Sequence, residues 1–375
     1  MATEIEKLQE LLQNDPSNFQ ARRELSILLA NNGFNEEALS NLEYLLRYFS
    51  EDAELHYNIG ILHEKLKNFD GAKKAYKQAI QISPQEDFYY NLGEVLVTLE
   101  EWDEAISAFK TVLKTDSKDG NCYFNLGLCY YHKDEMNIAT DSFQKAIELN
   151  PKDIFAHFYL GNIYQNSGLT NFAQESYKKV LEISPDYSWA YYNLASIAFQ
   201  NENLEEAKEY LLKTIECNKS DIEAYKLLTK ICLRQSEFEE IITILETRLE
   251  NEENGDLFYI LSQVYKQVGN KEGYIRGLKN ALKNNLTLSF PYNTINKELL
   301  RINPDVELDV DEVEEYASEK DNDYDLEEEY DEDYSDYEQI NELESEETSE
   351  IMSNEEYDYG YDSEDIEESN EYEEV

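Results

Sequence analysis

Apolar residues recur along most of this chain with helical spacing, and the helices themselves recur. Between Ala53 and Glu86, Ile59 and Leu62 and then Ala72, Tyr76, Ala79 and Ile80 fall three or four apart, with a break around Lys67-Asn68-Phe69-Asp70. That pattern predicts two helices joined by a turn. The unit then returns: Gly60, Gly93, Gly127 and Gly161 are spaced by 33, 34 and 34 residues and are followed in register by Ala195, Thr229 and Ser262. Ala38, Ala72, Ala105, Ala139, Ala173 and Ala207 keep the same period, and Pro16, Pro84, Pro151 and Pro185 share one phase of it. A small residue deep in each helix lets the pair approach closely, and proline stops the second helix. One hairpin cannot bury its own apolar face, so neighbours must stack.

These marks predict eight units over residues 19–288, beginning near Phe19, Ala53, Glu86, Gly120, Ile154, Ser188, Ile222 and Gly255. A single helix within 1–18, ending at Pro16, precedes them, and a capping helix within 289–303 follows them. The run His157-Phe-Tyr-Leu-Gly161-Asn-Ile-Tyr164 with Ala173, Tyr177, Val180 and Pro185 resembles the tetratricopeptide repeat family. That resemblance implies an all-α solenoid of helical hairpins wound as a right-handed superhelix, with an inner groove lined by the first helix of each unit. Hairpin solenoids of the Sel1 kind are the alternative, which the 33–34 spacing disfavours. In units seven and eight, Thr229 and Ser262 replace the glycine and Ile241 and Tyr274 replace the alanine, predicting looser packing toward the C-terminal end.

Charge divides the chain. The formal net charge is −50, yet residues 304–375 hold 35 Asp or Glu against one Lys, leaving −16 for residues 1–303. The acidic stretch, with nine tyrosines, lacks the hydrophobicity to offset its chain entropy and is expected to be disordered. A charge of this sign excludes partners held by phosphate contacts, so nucleic acid is not expected. No run of roughly 20 apolar residues is present and the charged amphipathic start does not read as a signal peptide, so a cytoplasmic protein with no membrane partner is expected. Cys122, Cys129, Cys217 and Cys232 lack paired short spacing and are expected as reduced, mostly buried thiols, and the four scattered histidines complete no metal-ligand set.

No catalytic motif is present, and repeats occupy the whole folded length, so no enzyme activity and no cofactor are expected. Binding residues are sought on the first helices instead. Two before the glycine stand Asn58, Asn91, Asn125 and Asn193, interrupted by Tyr159. They form either a carboxamide ladder for the backbone of an extended peptide or a set of hydrogen bonds within the repeats. One residue earlier runs an aromatic stripe, Tyr57, Tyr90, Phe124, Phe158, Tyr192 and Tyr259, reinforced by Phe155 and Trp189, which reads as either core or ligand contact. Lys226, Lys230 and Arg234 fall four apart on one first helix, a row about 12 Å long suited to carboxylates. In chaperone cofactors of the resembled family, Lys, Asn and Arg clamp a C-terminal Glu-Glu-Val-Asp; Lys226 and Asn193 match in type, though not in order.

The reading is a non-enzymatic scaffold that binds a protein or peptide segment along the groove. Its own tail, ending Tyr-Glu-Glu-Val375, is a candidate intramolecular ligand for the basic row. Two other readings stay open: an acidic-tail chaperone or regulator that captures basic partners, and an accessory subunit of a glycosyl- or methyl-transfer system.

Overall fold

A recurring side-chain cap opens most of the first helices. Asn18, Asp52, Asp119, Asp153, Asp221 and Asn254 each accept a hydrogen bond from the backbone N–H three residues on, at 2.9–3.1 Å, satisfying a donor that a helix N-terminus leaves open. The computed structural model describes residues 2–304, and among these are eighteen α-helices, one short 3-10 turn and no strand. The expectations placed on the acidic tail lie outside the described residues. After α1 (Ala2–Asn14) come eight hairpins: α2 (Phe19–Asn31) with α3 (Asn35–Leu46), α4 (Ala53–Lys65) with α5 (Phe69–Ile82), α6 (Glu86–Thr98) with α7 (Trp102–Thr115), and α8 (Gly120–His132) with α9 (Met136–Leu149). The series continues with α10 (Ile154–Asn166) and α11 (Thr170–Ile183), α12 (Ser188–Gln200) and α13 (Leu204–Cys217), α14 (Ile222–Gln235) and α15 (Phe238–Asn251), and α16 (Gly255–Gln267) and α17 (Lys271–Lys283). Last comes α18 (Tyr292–Ile302), packed on α17. Helices touch their near neighbours in the chain, as an all-α solenoid requires.

Each hairpin turns through one residue with positive φ: Gly33, Lys67, Glu100, Asp134, Gly168, Glu202, Ser236 and Gly269, all between 57° and 80°. Five of them are not glycine and hold a conformation that costs an L-residue about 1 kcal/mol.

The close approach of paired helices follows a size rule. A Cβ on Gly93, Gly127 or Gly161 would stand 2.5–2.6 Å from the ring of Phe109, Phe143 or Tyr177 on the second helix, and Gly60 meets Tyr76 in the same way. The facing residue is always sixteen positions on. Where the glycine is absent, that position holds a smaller side chain: Leu42 after Ser26, Leu211 after Ala195, Leu245 after Thr229 and Leu278 after Ser262, all buried. Glycine therefore accompanies an aromatic and a larger residue accompanies leucine, which conserves volume across the seam.

The looser packing expected of the two C-terminal units holds for the seventh and not for the eighth. In the eighth, glycine has moved to the second helix, where Gly273 lies against the Tyr265 ring and Gly277 against Ser262, each position leaving only 2.7 Å for a Cβ. In the seventh, α14 and α15 pack least closely of all the pairs, and α14 reaches α16 directly. The Thr229 hydroxyl is buried there without a hydrogen-bond partner. Thr229→Val, which keeps the shape and removes the stranded hydroxyl, is expected to raise stability by about 1 kcal/mol in urea denaturation.

Cys122, Cys129 and Cys232 are buried and Cys217 is exposed. Burial pushes the Cys129 thiol up to about 12 and Cys232 up to about 11, so both stay protonated at neutral pH.

Candidate peptide-binding groove

The first helices carry every residue singled out for binding, but they expose them unequally. Phe124 and Phe158 are inside the core, which corrects their reading as ligand contacts. Phe124 is 5% exposed and packs 5.7 Å from Phe143 and 6.2 Å from Tyr159; Phe158 is 7% exposed and packs 5.8 Å from Tyr177 and 5.4 Å from Tyr187. Rings from the partner helix and the next unit close over them. Phe155 and Trp189, one turn nearer the helix start, are open at 43% and 38%. Tyr192 is half-buried.

The carboxamide column divides in the same way. Asn58 is exposed, and Asn193 is half-buried with its Nδ2 donating to the Trp189 carbonyl at 3.0 Å. Asn91 donates to the Tyr57 hydroxyl at 3.1 Å, bridging adjacent units, and Asn125 is buried. A ladder of four equivalent, open amides is therefore not present. The buried Asn162 belongs to the same helices and was not anticipated: its Oδ1 lies 2.8 Å from the Tyr177 hydroxyl, which also faces Gln165 Oε1 at 2.9 Å.

Acids of the same solenoid answer the basic row on α14. Lys226 Nζ bonds Glu223 at 2.7 Å and lies 5.1 Å from the centre of the Phe290 ring, which itself packs 4.6 Å from Tyr259. Arg234 pairs with Glu202 at 3.2 Å, and Lys230 sits 5.4 Å over Phe199. Lys226 and Arg234 are thus not an unanswered positive row, because Glu223 and Glu202 neutralise them from one turn back and from the preceding hairpin.

A group of acids on α4 and α6 escaped the sequence reading. Burial first, then Asp87 and, more weakly, Glu64 and Glu54, raise the pKa of the Tyr57 hydroxyl. Burial raises Glu64, which accepts a hydrogen bond from the Tyr76 hydroxyl, and burial pushes Glu94 up to about 7. The signal was available: Glu54 and Asp87 share the column that later carries Phe155 and Trp189. Among the described residues, no group of three or more His, Cys, Asp or Glu is placed to hold a metal ion, and no helix is long and apolar enough to cross a membrane.

Models of the tetratricopeptide repeat match residues 53–86, 89–123, 120–153, 142–174 and 168–231. The chain is a tetratricopeptide repeat protein. Tetratricopeptide repeats are protein-interaction modules, and this tetratricopeptide repeat protein is a scaffold of that class. It is similar to MamA from Desulfovibrio magneticus RS-1, with 25% identity over 46% of this chain and 97% of that one and a TM-score of 0.44. It is similar also to YrrB, described as a TPR protein with an unusual peptide-binding site, at 27% identity over 49% and 95% with a TM-score of 0.42. Yeast Tom70 aligns at 17% identity over 72% and 59% with a TM-score of 0.46. No curated protein matches the sequence.

Proposed function

We propose that this scaffold binds an extended peptide or protein segment along its first helices and performs no chemistry on it. The observation that carries the reading is the open pair Phe155 and Trp189, on consecutive first helices, with the half-buried Asn193 one turn on from Trp189 and the exposed Asn58 three hairpins before Phe155. Exposed rings on a rigid helical frame supply contact area at low entropy cost, while amides pair with a peptide backbone whatever its side chains. The row Lys226, Lys230 and Arg234 takes a secondary role, exchanging its internal partners for a ligand carboxylate at one end.

The combined substitution Asn58→Ala, Trp189→Ala, Asn193→Ala tests the reading. Partners captured from cell extract by the full chain are expected to fall at least tenfold, and unchanged capture would place the binding surface elsewhere. The basic row is reported separately by Lys226→Ala, Lys230→Ala, Arg234→Ala. A second reading rests on the charge of residues 304–375: the tail itself captures basic partners. Truncation after residue 303 abolishes capture on that reading and leaves it intact on the first.

A further inference from the structure

One column of the first helices changes character along the stack. Six residues before each glycine-phase position stand Glu54, Asp87, Asn121, Phe155, Trp189, Glu223 and Asp256, in the first turns of α4 to α16. Large apolar residues replace the acids in the fifth and sixth hairpins alone. The flanking acids are not equivalent. On the C-terminal side, Glu223 is bound to Lys226 at 2.7 Å, and the buried Asp256 accepts the Ser289 N–H at 2.7 Å. On the N-terminal side, Glu54 and Asp87 are exposed, and Glu64 and Glu94 lie on the same two helices. The charged groups that act most strongly on Tyr57 and Glu94 there are carboxylates: Asp87, Glu64, Glu54 and Asp119. This surface is therefore apolar at hairpins five and six and unbalanced negative at hairpins two and three.

We propose that the occupant of this surface is an extended segment bearing two bulky apolar residues and, to one side of them, a short run of Lys or Arg. The proposal rests on the peptide-binding reading above and names the class of segment. Spacing follows from geometry. A helix with its side chains is about 10–12 Å across and an extended chain advances about 3.3 Å per residue, so crossing one first helix takes about three residues. The apolar residues then sit about three apart, over Phe155 and Trp189, and the basic run lies about six residues away, over Asp87 and Glu94. Charge excludes residues 304–375 of this chain as the occupant, since they hold 35 acids and one Lys. Burial raises the pKa of Glu64 and Glu94, whose hydrogen bonds come from the Tyr76 and Tyr90 hydroxyls.

The chain has two tryptophans, Trp102 and Trp189, so full-length protein with Trp102→Phe makes Trp189 the sole indole reporter. The probe is a synthetic peptide with three lysines, a six-residue Gly/Ser spacer and Leu-Ser-Ser-Leu, made in both chain directions. In one direction it is expected to shift Trp189 emission to the blue, with Phe155→Ala weakening binding about tenfold at any salt concentration. Glu54→Gln with Asp87→Asn is expected to weaken it about three- to tenfold at 20 mM salt and hardly at 500 mM. Labelled peptide on the otherwise unaltered chain gives a second readout by anisotropy.

If a peptide with glutamates in place of the lysines shifts Trp189 equally well, the basic requirement is wrong while the groove reading survives. Equal binding after Leu→Ser in the peptide would remove the apolar anchor. Anisotropy that rises while Trp189 stays silent would mean capture by the acidic tail, overturning the proposal. Silence in both readouts up to 1 mM peptide overturns it too, while the Asn58, Trp189 and Asn193 capture experiment reports on the groove independently.

Discussion

Gly127→Ala is expected to destabilise the solenoid by about 2 kcal/mol, and Phe143→Leu in the same chain is expected to restore most of that loss. A methyl group in mid-helix normally helps, because alanine is favoured over glycine by about 1 kcal/mol. Here the new Cβ would stand 2.6 Å from two atoms of the Phe143 ring, itself completely buried, so neither helix can yield without disturbing the core. Overpacking of this kind costs about 1–3 kcal/mol and more where the neighbours are rigid. Phe143→Leu alone leaves a gap beside the glycine and should cost about 1–2 kcal/mol. Together the two changes reproduce the pair Ala195 and Leu211 of the sixth hairpin, so the double variant should fall within about 1 kcal/mol of the original. Urea denaturation of the four proteins gives a coupling energy of about 2–3 kcal/mol if this is right. Additive losses would show that ring and glycine do not share one space.

That pairing was legible in the sequence once the facing position was known, and the period alone did not supply it. Repetition at 33–34 residues gives hairpins, their phase and the helices that meet, because local spacing and stacking depend on the same apolar residues. Depth is another matter. Phe124, Phe158 and Tyr192 hold one phase, yet the first two are buried and Tyr192 is half-exposed, because burial depends on rings such as Phe143, Tyr159 and Tyr187 arriving from other helices. The row Lys226, Lys230 and Arg234 was visible as a spacing, whereas the acid that answers Arg234 lies 32 residues back, on the preceding hairpin. Charge patterning along one helix cannot register such a partner. The acids around Tyr57 were missed conversely: each looked like an ordinary solvated glutamate or aspartate until the stack brought two first helices together.

Of those acids, Glu94 sets the second large expected effect: Glu94→Gln should stabilise the protein by about 1–3 kcal/mol at pH 8 and by almost nothing at pH 4. Burial pushes Glu94 up to about 7 in the folded chain; the Tyr90 hydrogen bond opposes that rise, and Glu64 and Asp119 add to it. An unfolded glutamate titrates near 4.3. Between those values the folded state holds more protons than the unfolded one, so stability falls as pH rises through this window and levels off above about 7. A shift of this size corresponds to about 3.5 kcal/mol at most. At pH 4 the folded side chain is neutral and the unfolded one largely so, and glutamine merely imitates it; at pH 8 glutamine removes a poorly solvated charge. Comparing the two proteins at each pH cancels the titration of the many other carboxylates. An equal, small difference at both values would mean that Glu94 is ionised and well hydrated throughout. A lysine-bearing segment lying over α6 would stabilise the charged form and draw this pKa downward. Saturating peptide should therefore shrink the pH 8 advantage of Glu94→Gln, which links the cost of the unpaired carboxylate to the cation proposed to answer it.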